Sequence, residues 1–281
     1  MRRRVDLHTH STASDGTLAP AALARAAADA GLAAFALTDH DTAAGLAEAA
    51  DAAGAAGVEL VPGLELSLDA GPGEMHLLAY FVDPDEPRLA RALEALRRGR
   101  EARVPRIVAR LAAEGVELTV EDVMREAGGA ESLGRPHVAR ALVARGHVAT
   151  VAEAFDRYLA VGRPGHVRKP ELRPDEAIRL VRGAGGVAVL AHPFTIPEAW
   201  RERAVRGLAR LGLEGLEIEY PKHDAALRAT LAGWAKELDL VATGGSDFHG
   251  TSKPDIALGT GRAGNVSVDA AALDALKERR P

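Results

Sequence analysis

The chain has 281 residues, 47% of them hydrophobic and 27% charged, with a net charge of −5; these proportions exclude a disordered or fibrous chain and leave room for a sizeable core. With no cysteine it can form no disulfide framework, thiolate zinc site or cysteine nucleophile, so any metal must be held by His, Asp and Glu. The acidic balance and the small aromatic count (3 Tyr, 5 Phe, 2 Trp) argue against a DNA-wrapping surface, while a local phosphate site stays compatible with both.

The basic Arg2-Arg3-Arg4 runs directly into polar residues from Asp6 onward and not into the apolar core of an export signal. No apolar run is long enough to span a bilayer. The expectation is a cytoplasmic protein without membrane contact, a monomer or small homo-oligomer.

In chain order, apolar patterning predicts strands over 5–8, 34–38 and 59–62, separated by Ala-rich helices over 18–30, closed by Gly31, and over 43–53, closed by Gly54. Strand, helix, strand at this spacing means βαβ units and a parallel sheet. Strands over 65–69 and 75–82 flank Ala70-Gly71-Pro72-Gly73-Glu74, which reads as a hairpin turn. From 88 to about 158 the pattern is helical throughout and reads as an inserted subdomain. After Gly162-Arg163-Pro164-Gly165 the alternation resumes, with helices over 174–182, 199–211 and 225–238, strands over 186–191, 215–219 and 240–243, and a last helix over 268–279. Six or seven βα steps, interrupted once, suit a β/α barrel more than an open doubly wound sheet. No glycine-rich nucleotide loop opens a helix after a strand.

In such a barrel the carboxyl ends of the strands face the active-site mouth, and here they are rich in histidine. The ends read His8-Thr9-His10, Thr38-Asp39-His40-Asp41, Gly63-Leu64-Glu65, Ala191-His192-Pro193 and Ser246-Asp247-Phe248-His249, and His76 opens the strand after the hairpin. On an extended segment, residues i and i+2 share a face, so His8 and His10 can chelate one ion. A single such histidine is more often structural; the clustering together with Glu65 and Asp247 favours a metal centre.

Asp6-Leu7-His8-Thr9-His10-Ser11, Ser14-Asp15-Gly16, Thr38-Asp39-His40-Asp41, Gly63-Leu64-Glu65, Ala191-His192-Pro193 and Gly245-Ser246-Asp247-Phe248-His249 resemble the ordered motifs of the polymerase and histidinol phosphatase (PHP) superfamily. The helical insertion with Gly134-Arg135-Pro136-His137 resembles its branch of nucleoside 3',5'-bisphosphate phosphatases and 5'-to-3' exoribonucleases. The resemblance implies an α/β protein: a distorted seven-stranded β/α barrel over 1–98 and 168–281, with the helical insertion at 99–167 contributing to the substrate site. It implies two to three divalent ions, Mn first among Mn, Fe, Zn and Mg. His8, His10, Glu65 and Asp247 would hold one; Glu65 would bridge to a second completed by His76 and His192; Asp15, His40 and His249 would hold the third. The implied reaction removes the 3'-phosphate of a nucleoside 3',5'-bisphosphate and trims short RNA, using no protein nucleophile but a hydroxide on the metals held by Glu65, Asp247 and His192. Three divalent ions against three carboxylates leave an excess of positive charge, which favours a phosphorylated substrate independently of the resemblance.

Arg135 and His137 are the candidate substrate contacts: a guanidinium fork matches phosphate, and an imidazole can donate to it. Arg163, His166 and Lys169 are further candidates for phosphate. Arg100, Arg103 and Arg106 recur at helical spacing and could guide a longer anionic substrate, or simply form a solvated face. Asp39 and Asp41 could orient His40 or cap the next helix, with the cap preferred for Asp41. His147 and His223 lie outside every motif and are expected at the surface. The alternatives are a histidinol-phosphate-type phosphomonoesterase, metal-dependent amide hydrolysis, and a non-catalytic PHP module, the last disfavoured because every ligand position is filled.

Overall fold

The computed structural model describes residues 3–69, 71, 74–128, 133–168 and 170–281. The chain forms two compact units, one of Met1–Ala92 with Glu171–Pro281 and one of Leu93–Pro170.

In the first unit, β1 (Arg4–Thr9) pairs parallel with β2 (Ala34–Leu37) after a crossover through α1 (Pro20–Asp29). Buried Pro20, Leu23, Ala24 and Ala27 repeat at helical spacing and give α1 a single apolar stripe. The next crossover, α2 (Leu46–Ala56), ends on Gly57 with φ of 70°, three residues beyond the predicted stop at Gly54. Gly54 lies inside the helix, because the left-handed cap conformation falls at Gly57.

A further departure from the sequence pattern concerns β3 (Glu59–Leu68), one unbroken strand where two were expected, over 59–62 and 65–69. It changes partner at Pro62-Gly63: Glu59 to Pro62 pair parallel with β2, and Gly63 to Leu68 pair antiparallel with β4 (Met75–Tyr80). A Cβ on Gly63 would lie 2.9 Å from Ala79 O, so glycine is what allows the two strands to meet there. The antiparallel pairing is the hairpin predicted from the sequence, although Ala70, Pro72 and Gly73 of its turn lie outside the described residues.

The second unit contains most of α3 (Pro87–Glu101), then α4 (Arg103–Ala113), α5 (Val120–Ala127), α6 (Arg135–Ala144) and α7 (Val151–Ala154), which runs into a π-turn over Phe155–Leu159. It has its own core of Val104, Ile107, Leu111, Val123, Val138 and Leu142. Thr119 and Asp122 cap α5 reciprocally.

The first unit resumes with α8 (Pro174–Gly183), β5 (Val187–Leu190), α9 (Glu198–Leu211), β6 (Gly215–Glu219), α10 (Ala225–Glu237) and β7 (Val241–Gly244). A small ribbon of β8 (Ile256–Ala257) and β9 (Gly261–Arg262) follows, then β10 (Val268–Asp269) and α11 (Ala270–Glu278). The sheet order is β10-β1-β2-β3-β4-β5-β6-β7, eight strands where seven were expected. The additional strand is β10, which pairs antiparallel with β1 over residues predicted as the start of the last helix.

At its mouth this barrel-like sheet is nearly closed by the segment after β7, which lies on β1. Asp247 N–H donates to His8 O (2.9 Å) and His10 N–H donates to Phe248 O (2.9 Å). A Cβ on Gly245 would lie 2.5 Å from His8 N, so that position admits only glycine without displacement. Val5, Leu7, Ala36, Val61, Leu78 and Val189 belong to one buried cluster, in which the Tyr80 hydroxyl donates to Leu7 O (2.7 Å). Residues of α1 and α2 pack around Phe35 and Leu37 in another.

Candidate metal centre

Glu65, buried near the middle of β3, is the hub of the strand ends. Its Oε2 lies 3.2 Å from His8 Nε2, His10 Nε2 and His40 Nδ1, and its Oε1 lies 2.9 Å from His76 Nδ1 and 2.8 Å from His192 Nε2. Asp247 faces the first histidine pair, with Oδ1 at 3.6 Å from His8 Nε2 and 3.4 Å from His10 Nε2. Asp15 takes the other side, 3.2 Å from His249 Nε2 and 3.9 Å from His40 Nε2. All nine residues expected as metal ligands therefore lie in one cluster, although they come from segments as far apart as His8 and His249.

Local backbone geometry contributes to this convergence. His192 (φ 24°) and Asp247 (φ 54°) follow β5 and β7 with positive φ, a conformation that costs free energy away from glycine and persists only where the surroundings impose it. For Asp247 the surroundings include Asp6, which is fully buried and accepts from Ser246 Oγ (2.5 Å), Ser246 N (2.9 Å) and Gly259 N (2.7 Å). Asp39 does the same for the loop carrying Asp15, accepting from Ser11 N (2.8 Å), Ser11 Oγ (2.6 Å) and Ser14 Oγ (2.6 Å). Asp41 is not the helix cap expected from its position: its carboxylate accepts from Ser67 N and Oγ at 2.9 and 3.1 Å. Its φ of 54° turns the chain back toward β3 before α2 begins.

The electrostatics match a site built for cations. Burial pushes Glu65 upward, but the imidazoles of His40, His76, His8 and His10 outweigh it and hold the carboxyl well below its usual range. Burial likewise opposes ionisation of Asp247, yet Lys253, His249 and His8 keep it ionised. Burial, reinforced by neighbouring His10 and His76, holds His40 well below the usual range against Glu65 and Asp15. For His10, burial is overcome by the carboxylates of Asp247 and Glu65, 3.4 and 3.2 Å from Nε2, which lift it to about 9. In the metal-free protein a proton on that ring stands where an ion would be, and it must leave when an ion binds.

The residues fit divalent metals. His10 Nδ1, His10 Nε2 and His40 Nδ1 are buried without a hydrogen-bond partner, a costly state for a polar atom that a bound ion would relieve. Ligand atoms of His8, His10 and Glu65, of His40, Glu65 and His76, and of His10, Asp15, His40 and His249 each lie within 4.8 Å of one another. A donor set of imidazole and carboxylate without sulfur suits Mn, Fe, Zn or Mg. Asp15 has 34% side-chain exposure and His40 has 16%, while Glu65 has 1%, so the Asp15 side is the more open to solvent. Ions bound at the cluster would stabilise the fold, by about 2.7 kcal/mol for one present at 100 times its Kd. The Tm of Mn-loaded protein is accordingly expected to fall by roughly 5–10 °C on chelation; an unchanged melting curve would count against ions at this cluster.

Three supporting residues escaped the sequence reading. Glu217 on β6 is fully buried; its Oε1 accepts from His8 Nδ1 (2.9 Å) and its Oε2 from His192 N–H (2.6 Å), which leaves His8 Nε2 turned toward Glu65. The Tyr220 hydroxyl donates to Asp247 Oδ2 (2.8 Å), and Lys253 Nζ lies 2.5 Å from the same oxygen. The only sequence signal was a carboxylate between the apolar Leu216 and Ile218 of a strand. His223, expected at the surface, is buried, with Nδ1–H donating to Ile218 O (2.9 Å) and its ring 5.1 Å from Tyr220. His147 is half-buried, its Nε2 2.8 Å from Glu117 O.

The candidate substrate contacts belong to the helical unit. His137 is buried and its Nδ1 accepts from Gly134 N–H (3.0 Å) at the start of α6; Arg135 lies 5.7 Å from the Phe155 ring centre. Arg163 is exposed with Asp156 3.4 Å away, and Lys169 lies outside the described residues.

A parallel-rich barrel whose strand ends gather imidazoles and carboxylates defines a metal-dependent hydrolase by class. The family model of the PHP domain matches residues 6–163. The chain is 37% identical over 247 residues to a 3',5'-nucleoside bisphosphate phosphatase of Chromobacterium violaceum, covering 87% of each chain. To a 5'-3' exoribonuclease of Haemophilus influenzae it is 35% identical over 251 residues, covering 89% of this chain and 91% of that one. Its fold is similar to a crystal structure from Bifidobacterium adolescentis assigned to the metal-dependent phosphoesterases, with a TM-score of 0.86 and 32% identity over 99% of this chain and 97% of that one. The chain belongs to the PHP-domain family, and it is a hydrolase of phosphoric esters.

Proposed function

We propose that the protein removes the 3'-phosphate from nucleoside 3',5'-bisphosphates, leaving the nucleoside 5'-monophosphate, and that it trims short RNA from the 5' end. The observation that carries this is the Glu65 hub, where one carboxylate meets five imidazoles and Asp247 faces two of them. The likeness to relatives of the two named activities supports the choice of substrate. Two to three divalent ions, with Mn the first choice, would supply Lewis acidity and an activated water at the phosphoryl group. His8, His10, Glu65 and Asp247 would hold one, Glu65, His76 and His192 a second, and Asp15, His40 and His249 a third.

The chain's own residues do the rest. Glu217 holds His8 in one tautomer, and Tyr220 fixes the Asp247 carboxylate. Lys253, whose side chain is 37% exposed beside Asp247, offers an ammonium to a phosphate oxygen. Arg135 and His137 take the second phosphate of the substrate. Water supplies the oxygen, the bond from phosphorus to O3' breaks, and the 3' oxygen leaves with a proton.

The test is phosphate release by Mn-loaded protein from adenosine 3',5'-bisphosphate, beside AMP, histidinol phosphate and a short 5'-phosphorylated RNA, each with a chelator control. Chelator-sensitive release from the bisphosphate, with AMP accumulating, is the expected result. Preference for histidinol phosphate would overturn the substrate assignment and leave the metal centre standing.

A further inference from the structure

The helical unit carries a charge opposite to that of the rest of the chain. Leu93–Pro170 contains 14 Lys and Arg against 10 Asp and Glu, whereas the whole protein has a net charge of −5. Part of this excess is organised into a cleft. On α4, Arg103, Arg106 and Arg110 recur at helical spacing. Arg103 is buried, its Nε donating to Val167 O (2.8 Å), and Arg110 Nη1 donates to His166 O. These two bonds hold the segment from His166 to Arg168 against α4. Between them Arg106 is exposed and makes no hydrogen bond or ion pair among the described residues.

The resulting cavity, about 470 Å³, is lined by Arg106, Ala109, Arg110, His166, Val167 and Arg168, with no carboxylate among the described residues of its wall. That volume lies within the range of small-ligand sites, and its polar lining is cationic. The surroundings concentrate charge further: burial and the nearby guanidiniums of Arg135, Arg103, Arg110 and Arg168 hold the His166 imidazole below its usual range. A protein gains nothing in stability from gathering like charges, and an anion in the cleft would relieve their repulsion.

We propose that this cleft binds an internal phosphodiester of an oligoribonucleotide, so that the helical unit supplies affinity for chains longer than one nucleotide. The inference rests on the phosphoesterase reading for its choice of RNA. Guanidinium forks suit phosphate oxygens, and phosphate contacts made through arginine bind without regard to base sequence.

The test uses the full-length protein and the exposed Arg106, whose replacement leaves the core untouched. Binding of a 3'-labelled, 5'-phosphorylated pentaribonucleotide is measured by fluorescence anisotropy in chelator, where no turnover occurs. KM for adenosine 3',5'-bisphosphate is measured separately with Mn. Arg106→Glu is expected to weaken RNA binding by at least about 10-fold and to lower the slope of log K against log salt by about one. KM for the bisphosphate is expected to stay within about two-fold, and Arg106→Lys to restore most RNA affinity. Unchanged RNA affinity, or an equal loss on both substrates, overturns the proposal. If the wild-type protein hydrolyses neither substrate while Arg106→Glu still loses RNA binding, the phosphoesterase reading fails and the cleft stands.

Discussion

Replacing Glu65 with Gln is expected to lower kcat/KM by at least about 10³-fold, equivalent to about 4 kcal/mol of transition-state stabilisation. Both oxygens of Glu65 are committed, one to His8, His10 and His40 and the other to His76 and His192, so no other carboxylate in the cluster reaches as many imidazoles. Glutamine keeps the shape and loses the charge that offsets bound cations, and its amide nitrogen cannot ligate in place of an oxygen. Bound metal per chain, read by elemental analysis after dialysis, is expected to fall together with activity, while far-UV circular dichroism stays unchanged. Full metal content with activity within 10-fold of wild type would overturn the proposal that Glu65 bridges two ions. The same pair of measurements on Asp247→Asn tests the carboxylate that faces His8 and His10.

The second large effect is expected from a residue that is not itself an expected ligand. Glu217 accepts from His8 Nδ1 and from His192 N–H with its two oxygens. Glu217→Gln leaves one oxygen for two donors, so either the His8 ring or the His192 backbone meets an amide N–H and loses its partner. Losing such an outer partner of a metal-binding histidine costs roughly 10–100-fold in metal affinity or activity. The expected result is a weakened Mn titration with a matching fall in kcat/KM, and an altered ¹⁵N shift of His8 Nδ1 in the metal-free protein. A purely structural role would lower stability by about 1–3 kcal/mol with neither of these changes.

How much of the site was legible depended on whether each residue's role shows in its immediate neighbours. His8 and His10 declare themselves because i and i+2 share a face of an extended strand. His192 and Asp247 do so because they stand where apolar strands stop. Glu217, Tyr220 and Lys253 have roles set by what lies across the barrel. Glu217 acts on His8, which is 209 residues away in the chain. Asp41 shows the converse: its sequence position favours a helix cap, and the paired strand β3 claims its carboxylate instead.

The sequence by itself determined the alternation of strand and helix, the helical interruption, the nitrogen and oxygen character of the candidate metal ligands, and the places along the chain where they stand. These follow from periodicity and composition, which are local properties. Tertiary structure decided that β3 is one strand with two partners, that β10 joins the sheet as an eighth strand, and that His223 is buried. It also decided that Glu65 is the hub, because a β3 changing partners at Gly63 carries the next carboxylate to where the other strand ends meet. Strand pairing and burial are set by contacts between distant segments, and the free energy of those contacts overrides the local preference of a Pro-Gly dipeptide or a helical C-terminal tail.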